Sequence, residues 1–340
     1  MIENSRVFDE AYVPQIVGRR TEKKALASVL DPITDGERAT DTVLFGGTGT
    51  GKTATTRYML ANLDENSLAD FKTAYVSCIN ATDRRSILRG VAEELPINSS
   101  ALDAESASGL VRRIKNRVNE PFVVVIDEVD TLEPSEYNVL HNLYGINWVS
   151  LILIVNDRDT FLGGLDGIYE SRFEGSREIH FEPYSDRELY RIIEARQEAG
   201  LAEGAINERA LRTIAVAASN ARVAVTYLET TADEVQSPPI TAEDVAEAKE
   251  EVYETLRKHA IERLPERHGR VFEIIEADGP IGSREVRQRY AEAFGEELSR
   301  GQFTRAVAKL KEYESVVAEG ATSGTVYRAT EVPGGVPEIA

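Results

Sequence analysis

The chain has 340 residues, with 39 Lys/Arg against 58 Asp/Glu, a formal charge of −19 and a single cysteine, Cys78. That length exceeds one ordinary core and suits two or three domains. One cysteine excludes a disulfide framework and a cysteine zinc site and favours a reducing cytoplasm, while no apolar run approaches the roughly 20 residues that cross a bilayer.

In chain order, MIENSRVFDE lacks a basic-then-apolar leader. Ala11–Pro14 is extended, as the residue before a proline prefers, and Thr21–Leu30 reads as a helix with Leu26, Val29 and Leu30 apolar. An apolar strand, Val43–Phe45, then runs into Gly46-Gly47-Thr48-Gly49-Thr50-Gly51-Lys52-Thr53 and a helix over Lys52–Leu63. Gly46, four residues, then Gly51-Lys52-Thr53 is the full phosphate-binding loop pattern in its strand–loop–helix context. The glycines let backbone N–H groups curl around an anionic phosphate, and the helix N-terminus adds partial positive charge. Lys52 is expected to reach the terminal phosphates of ATP or ADP and the Thr53 hydroxyl to ligate Mg2+.

A second strand, Thr73–Cys78, leads to a helix near Asp83–Leu95, a Ser/Ala-rich connection and a helix over Gly109–Val118. The most apolar strand, Phe122–Ile126, ends in Asp127-Glu128-Val129-Asp130; a helix over Ser135–Leu143 and the strands Val149–Val155 and Glu178–Phe181 follow. Nearly all-apolar strands alternating with helices predict an α/β domain with a parallel sheet covered on both faces, whose ligands sit at the C-terminal strand ends. There Asp127 can hold Mg2+ through water and Glu128 can polarise an attacking water, although acids also close strand-end turns. Asn156 ends the neighbouring strand at the same height, where an amide either caps the next turn or positions the water.

From Ser185 strands disappear, and helices fit Ser185–Glu198, Asn207–Ala218, Ala221–Val235 and Thr241–Leu264. Helices at His268–Ala277, Ser283–Phe294 and from Ser299, followed by Ser315–Ala318 and Thr325–Thr330, make the winged-helix form of the helix-turn-helix. The expected domains are therefore residues 1–183, 184–264 and 265–332, with 333–340 a tail.

The acids are spread along the whole chain, the surface expected of a protein from a very salty cytoplasm, where repulsion is screened to a few ångströms. Glu266–Val332 is nearly balanced, with ten Lys/Arg against twelve Asp/Glu, and Ser299–Lys311 holds Arg300, Arg305, Lys309 and Lys311 and no acid. With Phe303, Val307 and Leu310 facing inward, Arg305 and Lys309 are expected on an outer face. Gln302, Thr304 and Arg305, with Arg300 and Lys309, then reach duplex DNA, and Arg328 touches the adjacent backbone. The alternative is a solvated basic face.

Together these stretches resemble AAA+ ATPases and, among them, the archaeal origin-recognition/cell-division-control replication initiators. The likeness is carried by YVPQIVGRR at Tyr12–Arg20, GGTGTGKT at Gly46–Thr53, IDEVDTL at Ile126–Leu132, ILIVND at Ile152–Asp157, NARVAV at Asn220–Val225 and the C-terminal part. The resemblance implies an AAA+ domain, a helical lid and a winged helix. It implies adenine contacts at Pro14, Val17 and Gly18, a first sensor at Asn156, and a second-sensor arginine at Arg222. Arg172 would reach the nucleotide of a neighbouring copy or paralogue. A permanently charged, bidentate guanidinium suits both arginine roles.

The implied function is ATP-dependent replication initiation: binding double-stranded origin DNA and helping to load the minichromosome-maintenance (MCM) helicase, with slow hydrolysis, in a cytoplasmic, nucleoid-associated protein. The chain departs from the family at Ser219-Asn220-Ala221-Arg222, where Gly-Asp-Ala-Arg is usual, and at Glu174-Gly175-Ser176, where Ser-Ser-Leu is usual. The rival expectations are a nucleotide-switched DNA-binding regulator with negligible turnover, a clamp-loader or motor ATPase, and an adaptor whose winged helix contacts protein only.

Overall fold

The computed structural model describes residues 1–9, 12, 15–165, 173, 175–313, 315–320 and 325–330. The chain divides into two compact units, Val13–Pro183 and Met1–Tyr12 with Tyr184–Ala340.

The first unit is built on a parallel sheet of β1 (Thr42–Phe45), β2 (Lys72–Ser77), β3 (Phe122–Asp127), β4 (Val149–Val155) and β5 (Arg177–His180), in the order β2-β3-β4-β1-β5. The central strands β3 and β4 are Val/Ile/Leu-rich and buried at every position, as a strand covered on both faces requires. One face packs Leu44, Val123, Val125, Ile152 and Ile154 against α1 (Arg20–Leu30) and α2 (Lys52–Asn66). The other packs Val76, Val124, Ile126, Leu151 and Leu153 against α3 (Arg84–Glu93), α4 (Ser99–Asp103), α5 (Ala107–Arg117) and α6 (Asn138–Tyr144). Helix α4 lies in a stretch that composition marks as a connection; Asn98 caps it through the Ser100 N–H, and Leu102 anchors it in the core. A short α7 (Arg158–Gly163) follows β4.

The second unit takes in the N-terminus, which corrects the expected first domain of 1–183. Val7 and Phe8 join the cluster of Leu189, Ile193 and Tyr227, and the Glu3 and Asn4 N–H groups donate to the Gly200 carbonyl. Its helices are α8 (Asp186–Gly200), α9 (Glu208–Ala217), α10 (Ala221–Glu234), α11 (Ala242–Glu247) and α12 (Lys249–Arg263). The single exit helix expected over Thr241–Leu264 is thus two. The chain turns at Ala248, ψ −5°, and both Val245 and Val252 stay in the buried cluster.

The C-terminal part has its own core, with Val271, Phe272, Ile275, Val286, Tyr290, Phe303 and Leu310. These come from α13 (Glu266–Asp278), α14 (Ser283–Phe294) and α15 (Arg300–Glu312). Beside them lies an antiparallel sheet, β6 (Ile281–Gly282), β8 (Val326–Ala329) and β7 (Val316–Glu319), in that order. The expected Gly279–Ile281 connector therefore supplies a third strand to the expected hairpin. Among the described residues no helix is long and apolar enough to cross a membrane.

Candidate nucleotide-binding site

The site forms where β1, β3 and β4 end together. Phe45 pairs with Val155, and Ile126 with Leu153, so the residues that follow emerge side by side. Gly46 has φ +149°, and a Cβ there would run into the Phe181 carbonyl; Gly49 and Gly51 have φ +72° and +82°. These conformations suit glycine and curl residues 46–51 into a loop at the N-terminus of α2.

Lys52 is buried beneath this loop. Its Nζ donates to the carbonyls of Gly46 (2.6 Å) and Gly47 (3.0 Å) and to Asn156 Oδ1 (3.0 Å). The Thr50 hydroxyl braces the loop through the Gly47 carbonyl at 2.8 Å. Asn156 is not the cap of α7: that task falls to Asp157, which accepts the Thr160 N–H at 2.6 Å and whose carboxyl is held below its usual range by that bond. Asn156 turns instead to Lys52 and to Asp130, whose carboxylate accepts the Asn156 backbone N–H (3.4 Å) and Nδ2 (3.5 Å).

Asp127 is buried at the end of β3. Its Oδ2 accepts the Thr53 hydroxyl (2.6 Å) and the Tyr75 hydroxyl from β2, and its Oδ1 accepts the Glu128 N–H (2.9 Å). Burial first, and then the Asp127 charge, push the Tyr75 pKa well up, so the phenol remains a donor at neutral pH. The Arg57 guanidinium covers the Tyr75 ring at 4.2 Å. Glu128 adopts φ +58°, ψ +41°, a left-handed conformation uncommon for a side chain of this kind, and its carboxylate accepts the Ser77 hydroxyl at 3.3 Å. Tyr75, Arg57, Ser77 and Asp130 were not singled out from sequence. The only signal is that Tyr75 and Ser77 alternate with buried Ala74 and Val76 along β2.

Val17 and Gly18 lie in the approach to α1. Gly18 has φ +67° and Arg19 φ +51°; the buried Arg19 guanidinium donates to the Glu182 carbonyl (2.6 Å) and pairs with Glu22 (3.1 Å), tying this turn to the chain beyond β5. Pro14 and Arg172 lie outside the described residues. Arg222 stands at the start of α10, its guanidinium 5.6 Å from the centre of the Tyr313 ring at the end of α15.

The expected DNA-contact set is dispersed. Arg300 and Thr304 are exposed and Arg305 is half-buried. Gln302 serves the N-cap of α15, its Oε1 accepting the Ser299 N–H at 2.9 Å, and Arg328 pairs with Glu319 at 2.6 Å. Lys309 corrects the outer-face expectation. It is buried, with its Nζ 5.3 Å from the Tyr313 ring centre, because Ala306 joins Phe303, Val307 and Leu310 in the core and widens the inward face.

The residues at the strand ends fit a nucleotide with Mg2+. A hydroxyl and a carboxylate 2.6 Å apart are the hard oxygen donors such a cation takes. Among the described residues no group of three or more His, Cys, Asp or Glu is arranged for a metal.

Comparison with known proteins agrees with this geometry. The AAA domain family matches residues 36–158. The chain is 30% identical over 299 residues to ORC1-type DNA replication protein 1 of Halobacterium salinarum, covering 85% of this chain and 95% of that one. It is 28% identical over 336 residues to ORC1-type DNA replication protein 9 of the same organism, covering 96% and 93%. Among solved structures, the Aeropyrum pernix ORC1 protein in complex with DNA superposes with a TM-score of 0.77 at 24% identity, over 96% of this chain and 93% of that one.

Proposed function

The chain belongs to the ORC1-type DNA replication protein family, and we propose that it is an ATP-dependent initiator that binds origin duplex DNA and helps to load the replicative helicase. Membership brings an AAA+ fold and nucleotide binding; the finer assignments are our reading. The observation that carries its ATP dependence is the convergence at the strand ends, where Lys52 spans the phosphate loop and Asn156 while Thr53 meets Asp127.

In this reading the N–H groups of residues 46–51 and the Lys52 ammonium hold the β- and γ-phosphates of ATP. Thr53 and Asp127 hold Mg2+, which when bound would neutralise phosphate charge. Glu128 orients and deprotonates the attacking water, and Asn156 fixes it by hydrogen bonding. Val17, Gly18 and Pro14 frame the adenine. Arg222 acts from the α8–α12 lid, and Arg172 acts toward a neighbouring copy. Helices α13–α15 with the β6-β8-β7 sheet act as a winged helix, in which Arg300, Thr304 and Arg305 supply phosphate and base contacts from α15. The Aeropyrum pernix ORC1 protein, which shares this fold, was solved in complex with DNA, and that supports DNA binding as such.

The test combines nucleotide titration with turnover. Lys52→Ala should weaken ATP binding by about tenfold or more, as loss of a charge-assisted hydrogen bond does, and Glu128→Gln should bind ATP yet abolish hydrolysis. Unchanged binding in the first variant would refute the reading.

A second reading, a DNA-binding regulator with negligible turnover, draws support from the Ser77 hydroxyl engaging the Glu128 carboxylate. It predicts a near-zero ATPase rate, with or without DNA, that Glu128→Gln does not change.

A further inference from the structure

We propose that Tyr75 is a positioning residue for the divalent cation, fixing the Asp127 carboxylate in the orientation that metal binding needs. The inference rests on the assignment of Thr53 and Asp127 as the Mg2+ ligands.

Three donors converge on Asp127: the Glu128 N–H on Oδ1, and the hydroxyls of Thr53 and Tyr75 on Oδ2. Of the two hydroxyls, Thr53 is itself an expected ligand, so Tyr75 is the donor left to serve orientation alone. The sheet places it there. Ser77 pairs with Asp127 across β2 and β3, so Tyr75, two residues back, shares their face and reaches the carboxylate from beside the strand.

The ring is itself held. Arg57 covers it at 4.2 Å, the range of an attractive cation–π contact. Thr53 and Arg57 are four apart on α2 and share one side of that helix. One helix face thus presents a ligand hydroxyl on one turn and a clamp for the orienting phenol on the next. A phenylalanine would keep the ring against the apolar cluster on this face of the sheet, where Tyr75 packs, but could not donate. The hydroxyl aimed at Oδ2 is therefore the chemically informative feature. Partners one shell out from a metal typically change its affinity ten- to hundredfold when removed.

The experiment is a Mg2+ titration of the full-length chain bound to N-methylanthraniloyl-ATP, read by fluorescence, for wild type, Tyr75→Phe and Asp127→Asn. Melting temperatures are measured alongside. Tyr75→Phe should bind the nucleotide like wild type in excess EDTA and melt within about 3 °C of it. Its Mg2+ midpoint should rise about tenfold. An unchanged midpoint overturns the inference. So does a variant that loses nucleotide binding in EDTA or melts much lower, because Tyr75 would then support the fold. A wild-type chain indifferent to Mg2+ and indistinguishable from Asp127→Asn would sink the ligand assignment, and this inference with it. A responsive wild type with an unchanged Tyr75→Phe sinks the inference alone.

Discussion

Replacing Gly46 by alanine isolates what the loop geometry demands. At φ +149° an L-residue sits in a region of the backbone map that costs of order 1–3 kcal/mol. The added Cβ would also press on the Phe181 carbonyl, which is backbone and cannot swing aside. Moving it strains the Phe181 N–H to Phe45 carbonyl bond of 2.8 Å that continues the β1–β5 pairing, worth about 1 kcal/mol net. The total loss is therefore about 2–4 kcal/mol. In a unit of this size each kcal/mol lowers the melting temperature by roughly 2–4 °C, so a fall of about 5–15 °C is expected for the Val13–Pro183 unit. Calorimetry at fixed salt measures it, with Gly47→Ala as the comparison, because a Cβ at Gly47 meets nothing within 4 Å. A Gly46→Ala chain melting within 2 °C of wild type, or a Gly47→Ala chain falling as far, would refute the reasoning.

Burial, with Arg267 and Lys309 nearby, lowers the His268 pKa to about 4. The unfolded chain then binds the extra proton first, near pH 6.5. His268 should contribute full stability above that pH and lose it as pH falls from about 6.5 toward 4, by up to roughly 3 kcal/mol. His268→Gln should flatten this slope in a pH series of melts. Melting temperature should climb as KCl rises toward molar levels, since −19 charges repel less when screened; a flat series counts against a salt-adapted surface. Arg305→Ala should weaken duplex binding and reduce the slope of log affinity against log salt by about one. Lys309→Ala should instead lower stability and leave that slope unchanged, and equal slopes for both variants would contradict the burial argument.

The phosphate loop is legible in sequence because its chemistry is contiguous: glycines, lysine and threonine lie within eight residues between a strand and a helix. Asp127 and Asn156 are legible because apolar strands stop at them. Tyr75 and Ser77 are not, since they matter only through β2 lying beside β3, and strand order is a tertiary fact. The same limit explains Val7 and Phe8, whose partners Leu189, Ile193 and Tyr227 lie far along the chain in α8 and α10. Lys309 failed for a subtler reason. Three apolar positions on α15 define an inward stripe, but Ala306 and the Tyr313 ring extend the covered arc beyond it. The turn at Ala248 has neither Gly nor Pro to announce it. Two expected site residues, Pro14 and Arg172, fall outside the described structure.

The backbone at Glu128 bears on how this position can drift. At φ +58° the cheap occupants are glycine and, less so, asparagine or aspartate. In the role proposed for Glu128, selection for catalysis works against a steady conformational pressure at that site. In lineages where hydrolysis ceases to matter, glutamate should give way first to glycine or asparagine and last to valine or isoleucine, whose branched Cβ suits that backbone least. A relative carrying glycine after the strand-end aspartate would thus record relaxed selection on turnover with the turn intact. It would also melt slightly higher than its glutamate counterpart.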